Sequence, residues 1–396
     1  MWELSNIINL IMIKLFKNMI HNLLFRSDIQ INGNRSHDIQ TKDENQLIEN
    51  VILNGELGFM EDYINAKWTC KNLKTLFEKL MTVEASGKIK SWTTKLFEIM
   101  KTSFSWIFYF TNSQSIKKSK DVIDIHYNLG NEFYENLLGP SMQYSCGYWN
   151  PTTENSDKLT LTTAQGQKMN LIAEKLKLEP RHRVLDIGCG FGTLAYHLST
   201  YCSQVVGVTL SEEQYKWATK NFKKEIKEGK LVFICSDYRL LGDLGKFDRV
   251  VSVGFLEHVG VRNLTTFCDI VDKFLIDDGI ACIHTIGKEN SSGQLSPFIQ
   301  KYIFPGGELP TPNDICVNFL NKFRLEDWHN FGKDYSLTLD SWYRNFLHFP
   351  FSDDKMNRIW ELYLSSCSAA FSTRKIQLWQ IIFTKNSSTI EYRSVR

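Results

Sequence analysis

Long apolar runs, paired cysteines and an excess of either charge are all missing from this sequence of 396 residues. Its most apolar stretch, residues 1–25, is interrupted by Lys14 and Lys17, short of the roughly 20 apolar residues that a membrane-spanning helix needs. That stretch opens on Trp2-Glu3 and shows no small-residue cleavage site, which argues against a secretory signal. What remains is an amphipathic helix over residues 1–27, used to rest on a membrane, to pack on its own domain or to address an organelle, since Lys14, Lys17 and Arg26 outnumber the single acid Glu3. The nine cysteines are odd in number and nowhere spaced as C-x-x-C, which argues against a disulfide frame or a zinc site and for reduced thiols in a cytoplasmic setting. A net charge of +2 argues against nucleic acid as the main partner, because that partner demands a strongly basic surface. With 43% hydrophobic and 23% charged residues, the chain has the composition of an ordinary globular protein long enough for two domains.

The chain is organised around VLDIGCGFG, residues 184–192. Apolar residues interrupted by Asp186 run into Gly188, Gly190 and Gly192, the pattern of a buried parallel strand breaking into a tight turn at a helix start, here Thr193 to Thr200. Glycine lacks the Cβ that keeps a nucleoside away from the backbone, and the unpaired N–H groups of the following helix point at the same place. This spacing alone also suits a dinucleotide. A dinucleotide fold ends its second strand in an acid for the ribose, however, and the second strand here, Gln204 to Val208, runs into Thr209, Leu210 and Ser211.

Strands at 183–187, 204–208, 231–235, 247–253 and 280–285 alternate with helical segments such as 212–227, which predicts an α/β fold with a parallel sheet covered on both faces. Further strands at 323–328 and 376–383 fit an antiparallel edge. Ligands of such sheets sit beyond the carboxyl ends of the strands, where Glu257 and His258 follow the fourth strand and His284 and Ile286 close the fifth. Tyr127, Tyr134, Tyr144, Tyr148 and Trp149 crowd around Cys146, and their faces suit a cationic sulfonium. No base neighbours Cys146, so its thiol is not read as a nucleophile. Towards the N-terminus, IQINGNRSHDIQ predicts a hairpin turning at Asn32-Gly33 and the phrase after it predicts helix. A helical stretch, the aromatic run SFSWIFYF and a polar linker occupy residues 78–120.

The runs DIGCGFGTLA, VVGVTLSEEQ, SDYRLL and FDRVVSVGFLEHVG resemble the S-adenosylmethionine methyltransferases. Within them the chain resembles the cyclopropane-fatty-acyl-phospholipid synthases of the mycolic acid cyclopropane synthase superfamily, through the Thr-x-Ser-x-x-Gln end of the second strand and through HYNLGNEFY, MQYSCGYW, KYIFPGGELPT and EDWHNFGKDYSLTLDSWY. The resemblance runs from about residue 28 to 384. It implies a class I (Rossmann-like) seven-stranded sheet with helices on both faces, preceded by a small α+β or helical domain. The domains would be an N-terminal helix at 1–27, an accessory domain for lipid presentation and dimerisation at 28–103, a linker at 104–120 and a catalytic domain at 121–396.

The implied activity transfers a methylene group from S-adenosylmethionine to a cis double bond of a phospholipid acyl chain, at a membrane surface and in a homodimer, with bicarbonate as the second cofactor and no metal. Carried over residue by residue, the bicarbonate cradle is Cys146 and Ile286 through the backbone and Glu257, His284 and Tyr335 through side chains. Gly188 and Gly190 would approach the methionine end, Thr209 and Gln214 the ribose, Asp237 and Tyr238 the adenine, and Tyr144 and Ser145 the carboxylate. A carboxylate beside an anion is repelled, so Glu257 is expected to hold or share a proton. Phe191, Thr193 and Gly147 stand where the family commonly has Trp, Gly and Ala. A fatty-acyl C-methyltransferase shares the same carbocation and stays open on these residues, while the intact glycine turn with Glu257, His284 and Tyr335 argues against a lipid-binding module without catalysis.

Overall fold

A computed structural model of the chain describes residues 2–85, 130–150, 159–289 and 293–396. The expected linker, the aromatic run and Tyr127 lie outside the described residues. The chain forms two compact units.

The larger unit is built on a seven-stranded sheet. In chain order its main elements are α1 (Asn131–Leu138), α2 (Leu161–Lys175), β1 (Arg183–Ile187), α3 (Thr193–Leu198), β2 (Gln204–Thr209), α4 (Glu212–Asn221), β3 (Leu231–Cys235), β4 (Phe247–Val253), α5 (Leu264–Phe274), β5 (Leu275–Gly287), β6 (Phe323–Asn330), α6 (Gly332–His348) and β7 (Gln377–Lys385). The strand order is β6-β7-β5-β4-β1-β2-β3. The neighbours from β5 to β3 run parallel, and β7 pairs antiparallel with both β5 and β6, as the alternation of strands and helices predicts.

Period-2 alternation divides the buried side chains between two cores. Leu185, Ile187, Ala281 and Ile283 fill one, and Val184, Ile280 and Cys282 fill the other. Several ends shift by one or two residues from expectation, and two differences are larger. β5 starts at Leu275, five residues early, because Leu275 pairs with Phe247 ahead of a register shift. The expected helix over 212–227 breaks at Phe222, which leaves helical geometry at φ −110° and is buried.

The smaller unit holds helices at Trp2–Arg26, Glu44–Ile64 and Leu73–Ala85, together with Pro297–Tyr302 and Asp354–Ser372. The first covers the helix expected at 1–27; its last turn buries Leu24 and leaves Phe25 83% exposed. No described helix is long and apolar enough to cross a membrane. The hairpin expected at Asn32-Gly33 does not form. The buried carboxylate of Asp38 accepts hydrogen bonds from the N–H groups of Gln30 and Arg35 and from the Arg35 guanidinium, and this closes a loop instead. The short strands there pair Gln40–Thr41 with Trp68–Thr69.

Residues 296–303 and 350–375, expected in the catalytic domain, belong to this smaller unit. Their polar groups find partners within it: Tyr63 OH donates to Glu361 at 2.7 Å, Ser372 to Glu78 at 2.6 Å, and Lys301 to Glu61 at 2.6 Å.

Candidate active site

The glycine turn leaves β1 and is tied to β2, because the N–H groups of Gly188 and Cys189 both donate to Val208 O at 2.9 Å. All three glycines have positive φ, where a Cβ is strained. Gly188 and Gly192 are also required by the chain's own packing: a Cβ there would lie 2.5 Å from the Phe255 ring and 2.6 Å from the Phe233 ring. Gly190 differs. Its missing Cβ leaves open space, with Gln214 Nε2 3.9 Å away as the nearest group. Ser211 caps α4 by accepting from Gln214 N–H, and Thr209 Oγ1 donates to Gln214 Oε1 at 2.8 Å, which turns the Gln214 amide nitrogen toward that space. Asp237, expected at the adenine, is buried with its carboxylate held by the Arg239 guanidinium at 2.6 Å. Tyr238 packs edge-on against Phe255 and buries its hydroxyl without a partner.

At the carboxyl ends of β4 and β5, the turn after β4 delivers Glu257, and the Ile286 N–H of β5 donates to Glu257 Oε1 at 2.6 Å. Ile286, expected to offer its backbone to an anion, therefore gives its N–H to Glu257. The second oxygen, Oε2, is buried with no partner. Burial pushes the Glu257 carboxyl up to about 7, against the opposing pull of that N–H.

His284 lies two residues before Ile286 on β5, opposite Val253 of β4 and Gln380 of β7. The Gln380 amide lies 3.2 Å from Nδ1, and Nε2 is buried and unpartnered. Burial holds the imidazole well below its usual pKa, so it is neutral at physiological pH.

Residues 143–149 are clamped from two sides. On one side, Gln165 of α2 donates to Ser145 O at 2.7 Å, and a Cβ on Gly147 would come within 2.9 Å of Ala164 Cβ, so glycine stands there. On the other, Thr338 of α6 accepts from Gly147 N–H at 3.0 Å and from Trp149 Nε1 at 2.9 Å, while Asp334 accepts from Trp149 N–H at 2.7 Å. The Cys146 thiol sits inside this clamp, fully buried, and burial raises its pKa well above the ordinary value. Such a thiol is a poor nucleophile. Tyr144 packs on Trp342, Tyr134 and Phe304, and Tyr335, half-buried in the first turn of α6, also meets Trp342, edge-on. Tyr134 continues the aromatic wall to Phe191 and Trp217.

Direct contacts thus join Glu257 with Ile286 and Thr209 with Gln214, while Tyr335 and Tyr144 meet through Trp342. Gln165, Lys168, Thr338, Asp334 and Gln380 are the groups sequence reasoning passed over. Gln165 and Lys168 carried a readable signal: they share the α2 stripe that Ala164, Met169 and Ile172 mark as core, where a polar residue needs a partner. The void at Gly190 and the unpartnered Glu257 Oε2 and His284 Nε2 fit a nucleoside cofactor and a small anion. No cluster of metal-ligating side chains occurs among the described residues.

The model of the mycolic acid cyclopropane synthetase family matches residues 114–381. Over 370 residues, 92% of this chain and 92% of the relative, the sequence is 40% identical to the cyclopropane-fatty-acyl-phospholipid synthase of Escherichia coli K12. It is 32% identical to the sphingolipid C9-methyltransferase of Candida albicans, over 73% of this chain and 58% of that one. The solved structure of the cyclopropane synthase MmaA2 from Mycobacterium tuberculosis is 26% identical, with a TM-score of 0.61 over 67% of this chain and 97% of its own. Coclaurine N-methyltransferase, 16% identical, shares the fold with a TM-score of 0.64, over 83% of this chain and 99% of its own. The seven-stranded sheet is that of a class I methyltransferase, and the chain belongs to the mycolic acid cyclopropane synthetase family.

Proposed function

We propose that the chain is a cyclopropane-fatty-acyl-phospholipid synthase, which adds a methylene group to a cis double bond of a phospholipid acyl chain and closes a cyclopropane ring. When bound, S-adenosylmethionine supplies a methyl group activated by the sulfonium, and bicarbonate supplies a proton acceptor. The observation that carries this reading is the pair of buried, unpartnered polar atoms, Glu257 Oε2 and His284 Nε2, at the ends of two adjacent strands beyond the glycine turn.

An alkene is a weak nucleophile, and its methylation leaves a cation that must lose a proton before water reaches it. The residues meet that demand in three ways. Gly190 leaves the space for the nucleoside, with the Gln214 amide at its edge. Tyr134, Tyr144 and Phe191 offer aromatic faces to positive charge. Glu257, whose carboxyl burial raises to about 7, holds a proton near neutral pH and donates to an anion where an ionised acid would repel it. His284 donates from Nε2 to the same anion, and the burial of both groups excludes water. Lipid presentation by the N-terminal unit, a membrane-surface substrate and a homodimer complete the reading.

The test is to incubate purified protein with S-adenosylmethionine and vesicles of monounsaturated phospholipid, then to analyse the acyl chain by mass spectrometry and proton NMR. A gain of one CH2 with upfield ring protons supports the reading. The same gain with a vinyl or methyl-branch signal moves the chain to C-methylation, the activity in the name of its sphingolipid relative. No gain on any monounsaturated phospholipid, with S-adenosylhomocysteine demonstrably bound, overturns the proposal.

A further inference from the structure

Lys168 stands in the middle of α2, and its side chain is fully buried. A lysine is almost never fully buried unless it is paired, and burying an unpaired charge costs several kcal/mol, on the order given by ion-transfer arguments. Its Nζ donates to two groups of the clamped segment, Gln143 Oε1 at 2.5 Å and Ser145 Oγ at 2.9 Å. Two residues of the same helix face hold that segment in place, Ala164 accepting from Tyr148 N–H and Gln165 donating to Ser145 O. The Lys168 nitrogen is therefore aimed at a fixed hydroxyl. The titratable groups whose charges act on Lys168, or feel its charge, come from every side: Cys146 from the clamped segment, Asp186 from β1, His197 from α3 and His284 from β5. Burial lowers the Lys168 pKa to about 7 and raises the Asp186 carboxyl to about 7, so neither group is held in its charged form at neutral pH, and the Lys168 nitrogen donates as amine or ammonium alike.

A hydroxyl that accepts from a lysine nitrogen has its own proton left to give, and it gives a stronger hydrogen bond for being polarised in the chain of donors. We propose that Lys168 is a positioning residue for the amino-acid end of S-adenosylmethionine: its Nζ holds Ser145 Oγ as an acceptor, so that the Ser145 proton is directed to the cofactor carboxylate. The inference rests on the reading of Ser145 as facing the carboxylate. Lys168 itself touches neither the reacting methyl nor the alkene in this account.

Two ligands separate the effect from general damage to the fold. S-adenosylhomocysteine carries the amino-acid end; 5′-methylthioadenosine has the nucleoside and the sulfur without it. Dissociation constants for both are measured by calorimetry on the full chain, in wild type, Lys168→Met, Lys168→Gln and Ser145→Ala. Lys168→Met should weaken S-adenosylhomocysteine at least tenfold and leave 5′-methylthioadenosine unchanged. Lys168→Gln, which keeps a neutral donor and carries the test if the methionine variant fails to fold, should lose an intermediate amount with the same selectivity. Equal weakening of both ligands, or of neither, in the Lys168 variants while Ser145→Ala loses S-adenosylhomocysteine selectively overturns the inference and leaves the Ser145 reading standing. Unchanged S-adenosylhomocysteine binding in Ser145→Ala overturns the reading of Ser145, and the inference with it.

Discussion

His284 and Gln380 face each other across the antiparallel ladder of β5 and β7, with the Gln380 amide nitrogen 3.2 Å from His284 Nδ1. As placed, the amide donates to Nδ1, so the neutral imidazole carries its proton on Nε2, the nitrogen that has no partner. A residue near the end of the chain thereby fixes the tautomer of one nearly a hundred positions earlier. Gln380→Leu removes the donor and frees the ring to protonate at Nδ1. The expected outcome is a kcat lower by roughly 10–100-fold, the scale of the roughly 1–3 kcal/mol cost of a buried polar group that loses its hydrogen-bond partner, with little change in the KM for S-adenosylmethionine. Steady-state kinetics with the phospholipid substrate check this; a loss confined to KM would assign Gln380 to binding.

Glu257 makes stability depend on pH in a stated direction. Its carboxyl is raised from 4.5 to about 7 by burial, so the native state favours the protonated acid. The stability it contributes is complete below about pH 4.5 and is lost as pH rises through 7. Glu257→Gln removes this dependence. Denaturant melts should show the wild type losing about 3 kcal/mol relative to the variant between acid and mildly alkaline pH, the linkage equivalent of the shift. Parallel curves for the two proteins would show that Glu257 is ionised without cost.

The three glycines of the turn separate by what their missing side chains leave. Gly190→Ala puts a methyl group into open space and forces an L-residue to φ 56°, so its folding cost is about 1–2 kcal/mol. The methyl group occupies room that a nucleoside would take. S-adenosylhomocysteine affinity should fall at least tenfold while the thermal midpoint drops only a few degrees. Gly192→Ala drives its methyl into Phe233, and its larger effect should be on the midpoint.

Thr338 accepts two hydrogen bonds from the clamped segment, from Gly147 N–H and Trp149 Nε1. Thr338→Val keeps the shape and leaves both donors without an acceptor, at a cost of roughly 2–4 kcal/mol. Chemical denaturation measures that loss. Hydrogen exchange at the Gly147 amide should speed up more than exchange in β1, whose bonds do not depend on Thr338.

Much of the sheet is legible in local sequence. The runs RVLDI, LVFIC and FDRVVSV are rich in apolar and β-branched residues and bounded by turns, and they form strands with the expected ends. The smaller unit is less legible. The helix Asp354–Ser372 shows a buried face, but its partners Tyr63 and Glu78 lie roughly 300 positions away, and periodicity does not say what covers a face. The Asn32-Gly33 hairpin fails for a related reason: the carboxylate of Asp38, a few residues downstream, satisfies the backbone groups that a partner strand would have taken.

Short windows of sequence already specify the order of strands and helices in the seven-stranded sheet, the glycine turn and the chemical types gathered at the strand ends, because these depend on backbone preference and side-chain identity close in the chain. Tertiary structure decided which glycine leaves a void, since Phe255 and Phe233 come from other elements to fill the other two. It also decided that burial lifts the Glu257 carboxyl to about 7, that the buried His284 imidazole is neutral with the Gln380 amide beside its Nδ1, and that Lys168 is a buried partner of Ser145. Each of these states is set by desolvation and by hydrogen-bond partners distant in the chain, and neither exists until the sheet and its helices have packed.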